Sequence, residues 1–301
     1  MCADLRRRGH VVVAALRERP SSTSAPYDDV MVTGPLERLQ LSTTAFRGID
    51  AVVHTANWNG TASSAATPAY VEAVNVRASA KFCDVAARSG VSQFIYLSSI
   101  KAVGNRTRAQ SFDESTLPSP VDPYGRSKLQ AERALLDTGG LLISIIRPPL
   151  IYGPGMKGSM LTLFGLAARR VPLPLASVKN ARDFLALTSL ADLVSACVER
   201  PSHSNRIVLA RDGEAVSSAT LYQRIAQTLG KEARLFSVPP RALRFLAACA
   251  GGGDKADSLL SSLEIDDRIS RDQLGWKPIC GMQEALASTA QWYLAQRAAC
   301  G

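Results

Sequence analysis

The chain has 301 residues, of which 46% are hydrophobic, 20% charged and 6% aromatic. That balance excludes a disordered chain or a fibre, and no run of roughly 18 apolar residues is present that could form a spanning helix. Lys and Arg exceed Asp and Glu by 35 to 26, a formal charge of +9, but the cations are scattered without interleaved aromatics, which argues against nucleic acid and for a solubilising surface that also attracts an anionic small molecule.

From the N-terminus, the apolar run Val11–Leu16 is short and is followed by Arg17, Glu18 and Arg19, so no signal peptide is expected. Six cysteines (Cys2, Cys83, Cys197, Cys249, Cys280, Cys300) lie far apart with no C-x-x-C. Neither a zinc site nor a disulfide framework is expected, and a reduced, cytoplasmic setting is. Strands are predicted at Val11–Leu16, Val30–Thr33, Ala51–His54, Gln93–Leu97 and Leu141–Arg147. A long helix is predicted before the fourth strand, with Val71, Val74, Ala78, Phe82 and Val85 three or four residues apart and Gly90 as its stop. The runs A-V-V-H and F-I-Y-L are nearly continuously apolar, as strands covered on both faces of a parallel sheet require. Strand–helix alternation of this kind predicts a doubly wound α/β sheet over residues 1–151.

From Tyr152 the pattern loosens through Gly153, Pro154, Gly155 and Gly158. Helices are predicted at Ser189–Glu199, Ser218–Leu229, Arg241–Ala250 and Met282–Gln296, with a strand at Arg206–Ala210 and a hinge at Gly251-Gly252-Gly253. Residues 152–301 are therefore expected to form mainly a small C-terminal α/β substrate lobe, with 183–200 returning to the first domain. The helix from Arg241 has a basic, amphipathic pattern, which is read as a core helix of that lobe. Asp266 and Asp267 read as a helix cap. His10 and His203 carry no function, and no spacing suggests a metal.

The chemistry concentrates in Ser98-Ser99, at the end of a predicted buried strand, and in Y-G-R-S-K, Tyr124 to Lys128. Asp122 and Pro123 read as N-cap and first helical residue, which puts Tyr124 and Lys128 on one helix face at i, i+4. A tyrosine titrates near pH 10, and a neighbouring ammonium is expected to favour the phenolate and lower that value. Ser99, at the carboxyl end of a parallel strand, lies where open α/β sheets bind ligands, and its hydroxyl could hydrogen-bond a reacting oxygen while Tyr124 transfers the proton.

Taken with these residues, the segments F-I-Y-L-S-S-I-K-A-V-G (94–104), D-P-Y-G-R-S-K (122–128), I-R-P-P-L-I-Y-G-P-G (146–155), R-D-F-L-A-L-T-S-L-A-D-L (182–193) and L-G-W-K-P (274–278) resemble the extended short-chain dehydrogenases/reductases, in the NAD-dependent epimerase/dehydratase family. Within the family, S-S-I-K-A-V-G (98–104), R-P-P-L-I-Y-G-P-G-M-K-G (147–158) and V-P-L-P-L-A-S-V-K-N (171–180) most resemble its bacterial UDP-N-acetyl-hexosamine 4-keto reductases and 4-epimerases of lipopolysaccharide assembly. The resemblance implies a Rossmann-like fold, NAD or NADP as cofactor and a UDP-sugar as substrate; a homodimer is compatible with it. It implies Ser99, Tyr124 and Lys128 as the catalytic trio, with Lys128 also on the nicotinamide ribose. His54, Thr55 and Ala56 would lie along the cofactor, Asn75 would brace the site, and Pro148 would sit beside the nicotinamide carboxamide. Arg182 would hold the substrate diphosphate and Lys157 would lie on the substrate side. Ile100 and Lys101 stand where the family's dehydratases carry Asp-Glu, which speaks against dehydration. Leu150 replaces an Asn of well-studied UDP-galactose epimerases.

The family opens with a strand and a T-G-x-x-G-x-x-G loop that holds the cofactor pyrophosphate. That motif is not in these 301 residues. The missing strand would lie between Val11–Leu16 and Ala51–His54 and leave an unpaired edge on each. The expectation is that roughly 20 residues precede the recorded start, the alternative being a non-catalytic binding or regulatory member of the family. Arg17 follows the strand that usually ends in an acidic residue in NAD-preferring members, and it could receive a 2′-phosphate instead.

Overall fold

The computed structural model describes residues 1–20, 25–58, 67–249 and 253–299. After a short helix α1 (Cys2–Arg7), strands β1 (Val13–Leu16) and β2 (Asp29–Val32) pair in parallel as a two-stranded sheet. The main sheet is also parallel and runs in the order β3 (Ala51–His54), β4 (Gln93–Leu97), β5 (Leu142–Arg147), β8 (Arg206–Leu209). The α/β fold read from the alternation is therefore present. Among the described residues neither β1 nor β3 pairs on its other edge.

Each crossover buries one face of the sheet. The helix predicted before β4 is built as α2 (Pro68–Glu72), one widened π turn (Ala73–Arg77) and α3 (Ala78–Arg88). Thr67 caps it, its hydroxyl accepting from the Tyr70 N–H at 3.2 Å, with Pro68 in the first turn. Its end precedes Gly90, whose φ of +82° suits glycine. Helix α4 (Pro123–Leu136) joins β4 to β5. Phe82, Ala86, Ala131 and Leu135 from α3 and α4 pack on Val52, Phe94, Tyr96, Ile143 and Ile145. On the opposite face Ile95 and Ile146 meet Leu190, Leu193, Val194 and Cys197 of α6 (Leu187–Glu199). The apolar run F-I-Y-L thus sends alternate residues to two cores, each large side chain stabilising the fold by about 1.5–3 kcal/mol.

A third core joins Tyr152 to helices α5 (Gly158–Ala168), α7 (Ser218–Thr228) and α11 (Met282–Ala299), through Phe164, Tyr222, Leu286 and Tyr293. Two strands absent from the sequence prediction, β6 (Leu150–Tyr152) and β7 (Phe184–Ala186), pair in parallel beside it. The Tyr152 hydroxyl donates to Asp212 at 2.6 Å, and the same carboxylate accepts from the Ala186 N–H at 2.9 Å. The strand predicted at Arg206–Ala210 is β8, on the edge of the main sheet beyond β5, and so outside the lobe where it was expected.

Helices α8 (Pro240–Cys249), α9 (Gly253–Leu260) and α10 (Arg268–Leu274) complete the chain. Leu243 of α8 packs against a small core with Leu175, Val178 and Leu260, yet Phe245 and Leu246 are 69% and 60% exposed, so this helix is only partly the core helix expected. Gly251 and Gly252 of the predicted hinge lie outside the described residues. Asp267 occupies the N-cap position of α10 without capping it, and its buried carboxylate accepts instead from Arg211 and Arg271. No described helix is long and apolar enough to cross a membrane.

Candidate active site

Strand β4 ends at Leu97, and the two serines that follow diverge. Ser99 caps a 3₁₀ turn (Ile100–Ala102), its Oγ accepting from the Lys101 N–H at 3.2 Å. That turn is anchored on β5, because the Ile100 N–H donates to the Pro148 carbonyl at 2.9 Å. Asp122 caps α4 as the sequence predicts, accepting from the Gly125 N–H at 2.6 Å. It also binds Lys101 at 2.9 Å and Asn105 at 3.0 Å. The start of α4 is thereby tied to the turn that carries Ser99. Gly125 permits the approach: a Cβ there would overlap the Lys101 carbonyl oxygen and lie 3.0 Å from its carbon.

Tyr124 and Ser99, both half-buried, face each other closely enough for the serine hydroxyl to stabilise the ionised phenol. Lys128, one turn further along α4, is completely buried. Its ammonium donates to the Leu97 carbonyl at 2.9 Å and to the Tyr96 hydroxyl at 3.3 Å, and lies 5.9 Å from the centre of the Tyr124 ring. The expected lowering of the tyrosine is not found. Burial, helped by the charge of Asp122, raises the Tyr124 phenol to about 12, outweighing the Ser99 hydrogen bond. Burial likewise lowers Lys128 to about 7 against the opposing pull of Glu132, so the lysine gives up much of the charge that would have favoured phenolate. The Tyr124 phenol therefore keeps its proton at neutral pH.

Asn75 sits on the π turn and is fully buried. Its amide donates to the Trp58 carbonyl and to Ser127 Oγ, both at 2.9 Å, and its carbonyl oxygen accepts from the Trp58 N–H at 2.7 Å. Ser127 in turn donates to the Tyr124 carbonyl at 2.8 Å. Asn75 thus braces the loop after β3 against the helix that carries the trio, and the widened turn that presents it is of a kind frequent at functional sites.

The other predicted residues divide. Thr55 and Ala56 are exposed at the carboxyl end of β3, and Arg17 is exposed after β1, 3.8 Å from Glu18. His54 is 4% exposed, its ring packed among Phe82, Phe94 and Tyr96 with Nε2 3.0 Å from Ser79 Oγ. Burial, reinforced by Lys128, holds its pKa down to about 3. His54 therefore supports the floor from inside, and the exposed Thr55 and Ala56 are the part of that trio open to a ligand. Lys157 is exposed at the N-cap position of α5.

The backbone of Arg182 bridges Val216 and Leu263, and its guanidinium donates to the Ser261 carbonyl at 2.8 Å, with no described hydrogen bond to the trio. Ser261 lines a cavity of about 460 Å³ whose wall carries Arg106, Arg108, Lys179 and Arg244. Asn105, next to Arg106, is the residue bonded to Asp122, which links this basic cavity to the N-terminus of α4. The sequence reading missed the cavity because its four cations come from three separate segments.

Comparison with known proteins gives consistent matches. The model of the NAD dependent epimerase/dehydratase family matches residues 1–210. A UDP-glucose 4-epimerase of Vibrio cholerae is 34% identical over 226 residues, 73% of this chain and 69% of that protein. A GDP-6-deoxy-D-mannose reductase of Pseudomonas aeruginosa is 25% identical over 81% of this chain and 80% of its own length. Two further curated relatives are spanned over only 57% and 56% of their lengths. Among solved structures, MoeE5 in complex with UDP-glucuronic acid and NAD superposes with a TM-score of 0.75 at 23% identity, covering 98% of this chain and 94% of that one.

Proposed function

The chain belongs to the NAD dependent epimerase/dehydratase family, and within it we propose an oxidoreductase acting at C4 of a UDP-sugar, as a 4-keto reductase. The observation that carries the reading is the buried Lys128 one helical turn from Tyr124, which faces Ser99 at the carboxyl end of β4.

The residues present fit the nicotinamide ribose. Two of the three N–H donors of the Lys128 ammonium have described acceptors, which leaves one for a ribose hydroxyl. Tyr124 and the strand end at Pro148 would complete that wall, with Thr55 and Ala56 further along. Arg17 is the candidate for a 2′-phosphate, so NAD and NADP both suit the site. No residue is assigned to the pyrophosphate. When bound, the nicotinamide supplies the hydride. Ser99 Oγ hydrogen-bonds the C4 oxygen and orients it, while the Tyr124 phenol donates the proton that the forming alkoxide needs. Lys128 would fix the ribose through its remaining N–H donor. The cavity of Arg106, Arg108, Lys179 and Arg244, with Arg182 alongside, suits the diphosphate, since guanidinium groups match phosphate oxygens in fork geometry. The site serves sugar-nucleotide biosynthesis, including the lipopolysaccharide precursors of the bacterial 4-keto reductases.

A second reading, 4-epimerisation, is favoured by the 34% identity to the Vibrio cholerae enzyme of that name. It uses the same trio, with Tyr124 acting first as base. The test is incubation with UDP-4-keto-6-deoxy-N-acetylglucosamine and NADH or NADPH, followed at 340 nm. Consumption of reduced cofactor is the expected result. Interconversion of UDP-N-acetylglucosamine with its galacto epimer, without consumption, would replace the reductase by the epimerase. Failure to bind either cofactor would leave a non-catalytic family member.

A further inference from the structure

The Ser98 hydroxyl donates to Glu132 of α4. Arg147, the last residue of β5, grips the same carboxylate with two N–H groups, Nε to Oε1 at 3.1 Å and Nη2 to Oε2 at 2.6 Å. All three side chains are buried, Glu132 to 1% exposure. The carboxylate lies one helical turn beyond Lys128, whose own ammonium is bonded to the Leu97 carbonyl next to Ser98. Three elements therefore converge on one carboxylate, and two of them carry the trio. Burying a fork-bonded ion pair in place of apolar side chains contributes little to stability on its own, so its value must be sought elsewhere.

We infer that Glu132 is a positioning residue, holding α4 against the ends of β4 and β5 so that Lys128 and Tyr124 stay in register with Ser99. This rests on the reading of that trio as the reacting groups. Among the described residues the carboxylate is also the negative charge felt by Lys128, which otherwise faces Tyr124 on its own helix, Tyr96 on β4 and His54 on β3. Glu132 raises the lysine's pKa against the effect of burial. Without it two cations would share the interior.

The test compares wild type with Glu132→Gln and with the double variant Glu132→Gln/Arg147→Met, which removes both charges. The readouts are thermal stability, the titration of Lys128 by NMR of ¹³Cε-labelled lysine (assigned with Lys128→Arg), and NADH-dependent turnover. Glu132→Gln is expected to lower the Lys128 midpoint by about one pH unit or more and to cut kcat more than it raises KM. The double variant is expected to recover thermal stability but neither the midpoint nor kcat. A purely structural ion pair would predict recovery of all three together, or a Lys128 titration unmoved in both variants, and either result overturns the inference. If Glu132→Gln does not fold, the double variant alone decides through the same titration. Wild-type protein that turns over no UDP-sugar, with the Lys128 shift still present, would defeat the proposed function and leave the positioning role standing.

Discussion

Tyr124 and Lys128 move in opposite directions from their usual values for one reason, the loss of water around each. Helical spacing predicts that the two are neighbours, but how deeply the segment is buried depends on tertiary packing, so the direction of the Tyr124 shift was not legible. Asn75 and Ser99 could be read from their segments, whereas Glu132 looks like any polar residue on an exposed helix until Arg147 and Ser98 are seen around it. Replacing Tyr124 by Phe should lower turnover by about 10²–10⁴-fold, the usual worth of a positioned proton donor. Turnover within a factor of two of wild type would show that another group moves the proton. Lys128 should also leave a mark on stability. Its pKa is about 7 in the folded chain and 10.5 when solvated, so between those values the unfolded chain binds the extra proton and stability rises with pH. The contribution is complete above 10.5 and is lost as pH falls through 7. Denaturant titrations of wild type and Lys128→Met from pH 6 to 10 should therefore show wild type gaining on the variant as pH rises; parallel curves would refute a neutralised lysine.

The joint between the 3₁₀ turn and α4 decides whether Ser99 meets Tyr124. Gly125→Ala should force that joint open at about 1–3 kcal/mol, the common penalty for overpacking, with turnover falling alongside. Gly139, with open space around it and no left-handed φ, is the control: Gly139→Ala should shift stability by no more than about 0.5 kcal/mol. Equal melting temperatures for the two variants would remove the argument for close approach. Most elements were legible because their apolar runs are long, and β3 and β4 match the predicted limits. Strands β6 and β7 were not, since three residues carry no periodicity and owe their conformation to each other and to Asp212. The π turn was equally invisible, because Val71, Val74 and Ala78 have the three- and four-residue spacing of an ordinary α-helix.

Across the molecule, the excess of nine positive charges is widely spread, yet four cations gather at one cavity. Calorimetric binding of UDP should weaken about tenfold when Arg106 and Arg108 are both replaced by Ala, the worth of a charge-assisted hydrogen bond or two. It should also weaken for wild type as salt rises from 0.05 to 1 M, where screening shortens to about 3 Å. Affinity unaffected by either change would place the diphosphate elsewhere. That Arg206–Leu209 returns to the main sheet was not legible, because the segment is short and its destination is set by pairing. That return has a consequence for dissecting the protein. With Arg206–Leu209 bonded along β5 and α6 covering Ile95 and Ile146, a fragment stopping near residue 151 would expose an apolar face and a bare strand edge. Its complement would carry an orphaned strand. Neither piece should be an autonomous folding unit, and a single nick between them should release both halves of the fold together.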